Sequence, residues 1–188
     1  MIMEKNQIEV YNSKDFRNWL MKNHLNKNRV ILILYKRHTG KPAPSHRELI
    51  EEAICFGWID TTVKKLNDNM YLRNFVKRTK NSRWSLNTLS YAKQLIKENR
   101  MSPEGLRVYK EGLKKLPHDY GVSKNPEMIP DFKLELSRNK ILEKFEELPP
   151  SKKKVILRWI IRARLPETRK KRIKKMISLI LEGKSDIY

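Results

Sequence analysis

The chain has 188 residues, 39% of them hydrophobic and 34% charged, and its 42 Lys and Arg against 21 Asp and Glu give a formal charge of +21. That is material for one soluble domain, or for a medium domain with a small appendage. The longest apolar run, around Val30 to Tyr35, is far shorter than the roughly 20 residues that cross a bilayer, so no transmembrane segment is expected.

The single cysteine, Cys55, excludes an internal disulfide framework. Met1 to Asn6 carries no apolar core of a secretion signal, and the expected location is cytoplasmic. The charge is uneven. Residues 151–188 hold 13 basic and three acidic residues, a net +10 in the last fifth of the chain. Such a field concentrates nucleic acid, anionic lipid or phosphorylated ligands.

In chain order, Glu9-Val10-Tyr11 reads as a short strand. Asn12-Ser13 caps a helix with Phe16, Trp19 and Leu20 on one face. Arg29 to Lys36 is a buried strand, broken by Thr39-Gly40-Lys41-Pro42. Ser45-His46-Arg47-Glu48 is a capping box, which predicts a helix to about Phe56 with Leu49, Ile50, Ala53 and Ile54 inside. Gly57 ends it in the left-handed conformation.

Trp58 to Leu66 and Met70 to Lys77 read as a hairpin around Asn67-Asp68-Asn69. With Leu66 opposite Met70, Trp58 faces Arg78, Asp60 is its diagonal neighbour, and Leu72, Asn74 and Val76 share that face. Ser85 caps a helix from Leu86 to about Glu98 that buries Leu89, Ala92, Leu95 and Ile96, with Asn99 past its end. Ser102-Pro103-Glu104 opens another that fades near Leu116-Pro117.

The organisation expected is an α+β domain over 1–116, a small mostly antiparallel sheet with covering helices. A linker over 117–130 and a basic, all-helical segment over 131–188 follow. In that segment one helix contains Leu142 and Phe145. Ser151 caps the next, whose stripe is Val155, Ile156, Trp159, Ile160 and Ala163. Pro166-Glu167 starts the last, burying Ile173, Met176, Ile177 and Ile180 before Gly183.

Several blocks resemble a known family. AICFGWID (53–60), SRWSLN (82–87) and NRMSPEGL (99–106) are similar to the signature of the YdeI/OmpD-associated, or bacteriocin-protection, proteins. FEELPPSKKKVILRWI (145–160) and ETRKKRI (167–173) are similar to that family's C-terminal helices, so the resemblance runs over nearly the whole chain. It implies association with an outer-membrane porin and protection against bacteriocins, with no assigned biochemical activity. The chain departs from the family at Val76-Lys77-Arg78-Thr79, where relatives carry a T-P-R-R-like turn, and at Asn99-Arg100-Met101, where they have Gly-Arg-Met.

Two candidate sites follow. Trp58, Asp60, Arg78, Trp84, Ser85 and Asn87 form a candidate polar pocket for a carboxylate or phosphate group beside a helix N-terminus. The plainer reading makes the tryptophans core, Asp60 a partner for buried donors and Ser85 a cap. Lys154, Arg158 and Arg162 on one helix, with Arg169, Lys170, Lys171, Arg172, Lys174 and Lys175 on the next, form a candidate polyanion surface. Its plainer reading is a solvated face.

Cys55 reads as an inert core thiol. His24, His38, His46 and His118 have no metal-ligand spacing, and no metal or cofactor is expected. No G-x-S-x-G, Walker or G-x-G-x-x-G motif occurs. The balance favours a non-enzymatic stress-protection or adaptor protein that binds an anionic ligand or a protein partner. A nucleic-acid-binding accessory protein is the alternative, and an enzyme with an unfamiliar site around Asp60 the third reading.

Overall fold

The structure, a computed structural model, describes residues 6–187. Its described residues form two compact units that meet in sequence at Pro117 and His118. Strands β1 (Gln7–Glu9), β2 (Arg29–Tyr35), β3 (Trp58–Lys65) and β4 (Met70–Lys77) make one four-stranded sheet in the order β1-β2-β4-β3. Its β2–β4 and β4–β3 pairings are antiparallel and β1–β2 is parallel, so the sheet is mixed. The first strand lies two residues earlier than expected, and the fully buried Val10 just past its end still donates its N–H to Ile33 O at 3.2 Å.

Helices α1 (Ser13–Asn23), α2 (His46–Cys55), α3 (Leu86–Lys97) and α4 (Pro103–Leu113) complete this unit. Each has a polar side chain at its N-cap: Asn12, Ser45, Ser85 and Ser102 accept from the third helical N–H, which satisfies one of the orphan donors. Phe16 and Leu20 of α1, Leu49, Ala53 and Ile54 of α2, and Ala92 and Leu95 of α3 pack on Val30, Leu32, Leu34, Trp58 and Phe75 of the sheet.

The hairpin corrects the expected register. Around the loop it is as expected, since Leu66 N–H donates to Met70 O at 3.1 Å and Lys64 faces Leu72. Between Asp60 and Val63, however, Thr61 and Thr62 stand against the single Asn74, a β-bulge. Past it the pairing slips by one: Trp58 lies opposite Lys77 and Asp60 opposite Phe75. The core face of β4 is therefore Arg73 and Phe75, not Leu72, Asn74 and Val76. The slip lets Trp58 and Phe75, both fully buried, share one core without disturbing the tight loop.

The α2–α4 junction is fixed by backbone. Ser102 N–H donates to Cys55 O at 2.9 Å, and a Cβ built on Gly105 would stand 2.1 Å from that oxygen. Beside it the buried Glu52 receives Arg17 and Arg100, each at 2.7 Å, tying α1, α2 and the α3–α4 turn together. Asn99 ends α3 at φ +54°, the conformation expected of it.

From His118, helices α5 (Pro130–Arg138), α6 (Leu142–Glu146), α7 (Pro150–Ile161) and α8 (Pro166–Leu181) enclose a second core. Phe132, Leu136, Phe145, Ile156, Ile160, Ile173, Met176 and Ile180 fill it. Two expectations fail here. Ser151 does not cap α7, which begins a residue earlier at Pro150 with no side-chain cap, as a proline at the first helical position permits. Val155 faces outward and is mostly exposed, because Ile156 and Ile160 occupy the buried stripe.

Replacing Gly105 with alanine forces the backbone of α4 away from Cys55. A destabilisation of about 2–3 kcal/mol is expected, measured by urea unfolding followed at the tryptophans. An unchanged midpoint would contradict the close approach.

Candidate functional site

The six pocket residues expected from sequence separate into four groups. Trp58 is core, edge-on to Trp19 at 5.6 Å, and its Nε1 has no acceptor among the described residues. Asp60, two residues further along β3, accepts from Arg73 at 2.9 Å and meets His46 Nε2 at 3.2 Å. Ser85 and Thr88 make the reciprocal cap of α3, and Asn87 lies exposed in the first turn.

Arg78 and Trp84 are brought together. Arg78 follows the last residue of β4, and its N–H donates to Gly57 O at 3.0 Å. Only 6% of Arg78 and 2% of Trp84 are exposed, and the guanidinium carbon sits 3.9 Å from the indole centroid. Such stacking is strongest where water is excluded. Trp84 meets Tyr109 edge-on at 5.9 Å, and a Cβ on Gly112 would lie 2.1 Å from its Nε1, so the bare backbone of α4 makes room for the indole.

The stacked arginine is electrostatically incomplete. Among the described residues no carboxylate reaches ion-pair distance, its only side-chain hydrogen bond is a long one of 3.4 Å to Arg83 O, and its buried Nε–H has no acceptor. Burial pulls its pKa down to about 10, partly opposed by the more distant Asp60. It is still cationic at neutral pH.

A cavity of about 290 Å³ opens at this arginine, lined by Arg78, Thr79, Lys80, Ser82, Trp84, Arg107, Val108, Glu111, Gly112 and Lys115. Sequence reading missed its α4 wall. The available sign was the spacing of Gly105 and Gly112, two turns apart on a helix that also carries Arg107 and Glu111. Two wall charges are already neutralised: Arg107 by Glu104 at 2.8 Å, and Glu111 by Lys114 at 2.7 Å. Arg78, Lys80 and Lys115 make no ion pair among the described residues.

The basic C-terminal helices behave differently, because much of their charge is spent on the chain's own acceptors. Lys154 donates to Asn125 Oδ1 at 2.6 Å, and Arg158 donates to Ser123 O at 2.7 Å and lies 3.9 Å from Asp119. The stripe on α7 thus grips the 119–125 segment. Arg162 is half-buried at the end of α7, and its Nε has no acceptor among the described residues.

On α8, Arg169 forms a two-pronged pair with Asp131 at 2.6 and 2.7 Å, which holds the Asp131 carboxyl below its ordinary pKa. Arg172 lies over Trp159 and donates to its carbonyl, and Lys175 donates to Ile187 O at 3.0 Å. Lys170, within 3.5 Å of Glu167, Lys171 and Lys174 face solvent.

Cys55 is fully buried, and burial pushes its thiol up to about 11, with Glu52 adding to the rise. Among the described residues no cluster of three or more His, Cys, Asp or Glu is placed to hold a metal ion, and no helix is long and apolar enough to cross a membrane.

Replacing Arg158 with methionine should release the 119–125 segment while α7 stays folded. Amide exchange of Val122 to Asn125 is expected to accelerate at least about tenfold, the loss of roughly 1.5 kcal/mol of local protection from one charge-assisted bond. Unchanged exchange would mean that the stripe does not hold the segment.

Comparison with known proteins divides the chain. Residues 8–108, more than half of it, match a family profile described as a domain of unknown function (DUF8412). Residues 125–183 match the profile described as bacteriocin-protection, YdeI or OmpD-associated. No curated protein and no solved structure matches. The blocks at 145–160 and 167–173 fall in the second match, whereas those at 53–60, 82–87 and 99–106 fall in the first. The chain therefore belongs to the DUF8412 family through its N-terminal unit, and joins to it a C-terminal domain of the bacteriocin-protection, YdeI or OmpD-associated type.

Proposed function

We propose that this chain is a non-enzymatic binding protein, of the stress-protection or adaptor type, whose N-terminal unit captures a small anionic ligand on Arg78. The observation that carries the reading is a buried guanidinium with no carboxylate at ion-pair distance among the described residues. Burying a charge costs several kcal/mol, and proteins ordinarily offset that with a paired opposite charge. Here the stacked indole offsets only part of it. A cation left uncompensated at a cavity wall is the usual preparation for a ligand that brings the missing charge.

The other readings have less support. Around Asp60, the ties to Arg73 and His46 favour a structural role over a free catalytic base. Nucleic acid binding would rest mainly on Lys170, Lys171 and Lys174, since their neighbours hold internal acceptors. That interaction would weaken steeply with salt.

Arg78→Met separates a receptor from a core residue. On this reading the variant loses anion binding, measured by calorimetric titration, yet its unfolding free energy falls by less than about 1 kcal/mol or rises, because an unpaired buried charge has been removed. A loss of about 3–5 kcal/mol, typical of breaking a buried pair, would make Arg78 a structural residue.

A further inference from the structure

Resting on that reading, we infer that the anion held at Arg78 is a dianionic phosphate group, free or as the monoester of a small molecule, and not a monocarboxylate. The first reason is charge. With Arg107 matched by Glu104 and Glu111 by Lys114, three wall cations, Arg78, Lys80 and Lys115, make no ion pair among the described residues. A monocarboxylate would leave two of them unmatched in a partly enclosed space, whereas a dianion removes most of the excess.

The second reason is the directionality of the donors. The Arg78 guanidinium lies over the Trp84 ring and lines the cavity, and its one side-chain hydrogen bond among the described residues is the long one to Arg83 O. The adjoining turn supplies hydroxyls. Ser82 Oγ accepts from Thr79 N–H at 3.0 Å, and Thr79 Oγ1 accepts from Asn81 N–H at 3.3 Å. A hydroxyl whose lone pair takes a backbone N–H turns its own hydrogen elsewhere.

Both hydroxyls line the cavity and lie 3.5 Å apart, so one donates to its neighbour and the other is left as a donor alongside Lys80 and Lys115. Donors converging from a guanidinium edge, a turn and two ammonium groups suit a tetrahedral group with three terminal oxygens better than a planar carboxylate with two. A volume of about 290 Å³ also leaves room for a small substituent on the phosphate.

Calorimetry on the full chain tests this with sodium acetate, sodium sulfate, inorganic phosphate and glycerol 3-phosphate as probes. Phosphate or its ester is expected to bind at least about tenfold more tightly than acetate at pH 7.5. Glycerol 3-phosphate affinity should fall about fourfold between pH 7.5 and 5.5, as the second proton returns near pH 6, while sulfate, dianionic throughout, stays constant.

Lys80→Gln with Lys115→Gln should weaken phosphate more than acetate and leave the fold intact. Tighter binding of inorganic phosphate would point to the free ion, and tighter binding of glycerol 3-phosphate to an organic ester. Acetate binding as well as phosphate, or a flat pH profile for the ester, would overturn the inference and leave anion capture standing. Phosphate binding unaffected by the double replacement would overturn it too. Silence from every probe would sink the anion reading itself.

Discussion

A largely buried positive charge, held against an indole at a cavity wall with no carboxylate at ion-pair distance among the described residues, is the feature on which the rest of the site depends. Arg78 and Trp84 are six residues apart, yet their stacking draws on distant parts of the N-terminal unit. The bulge at Thr61–Thr62 resets the hairpin so that Lys77, not Arg78, pairs with Trp58. Arg78 thereby falls opposite Gly57, to whose carbonyl its N–H donates, and its side chain lies over Trp84. Gly112 clears the space on α4 that the indole needs. Turn, strand irregularity and bare helix backbone together hold the guanidinium in place.

Much of the framework was legible because local chemistry and tertiary packing agree. The caps at Asn12, Ser45 and Ser85, the left-handed ends at Gly57 and Asn99, and the buried stripe of α2 were all visible in sequence. The candidate site was only half legible. Arg78 and Trp84 belong to it, but Asp60 turns to Arg73 and His46, and Ser85 serves its own helix. The bulge explains this: an extra residue in one strand leaves little trace in alternation, yet it moves every side chain beyond it. The α4 wall was hidden because nothing local says which face of a helix will meet a distant indole.

Net charge shows the same limit from the other side. The density of lysine and arginine after Ser151 suggested a continuous basic surface. In the folded chain, Lys154 and Arg158 fasten the 119–125 segment, Arg169 closes on Asp131, and Arg172 and Lys175 hold backbone carbonyls. Composition counts charges without knowing their acceptors, and a carbonyl acceptor is invisible to any tally of acidic residues. In the N-terminal unit fewer cations line the Arg78 cavity, but three of them remain unmatched.

The most direct test looks at the orphan donor itself. In protein labelled with ¹⁵N at arginine, the Arg78 Nε–H resonance is assigned by its loss in Arg78→Lys and followed as phosphate is added at pH 7.5. The expected result is that the signal shifts and that its exchange with water slows as the anion closes over the guanidinium. A resonance that keeps its position and exchange rate under saturating phosphate would mean that Arg78 is already satisfied by the protein, and the receptor role would be lost.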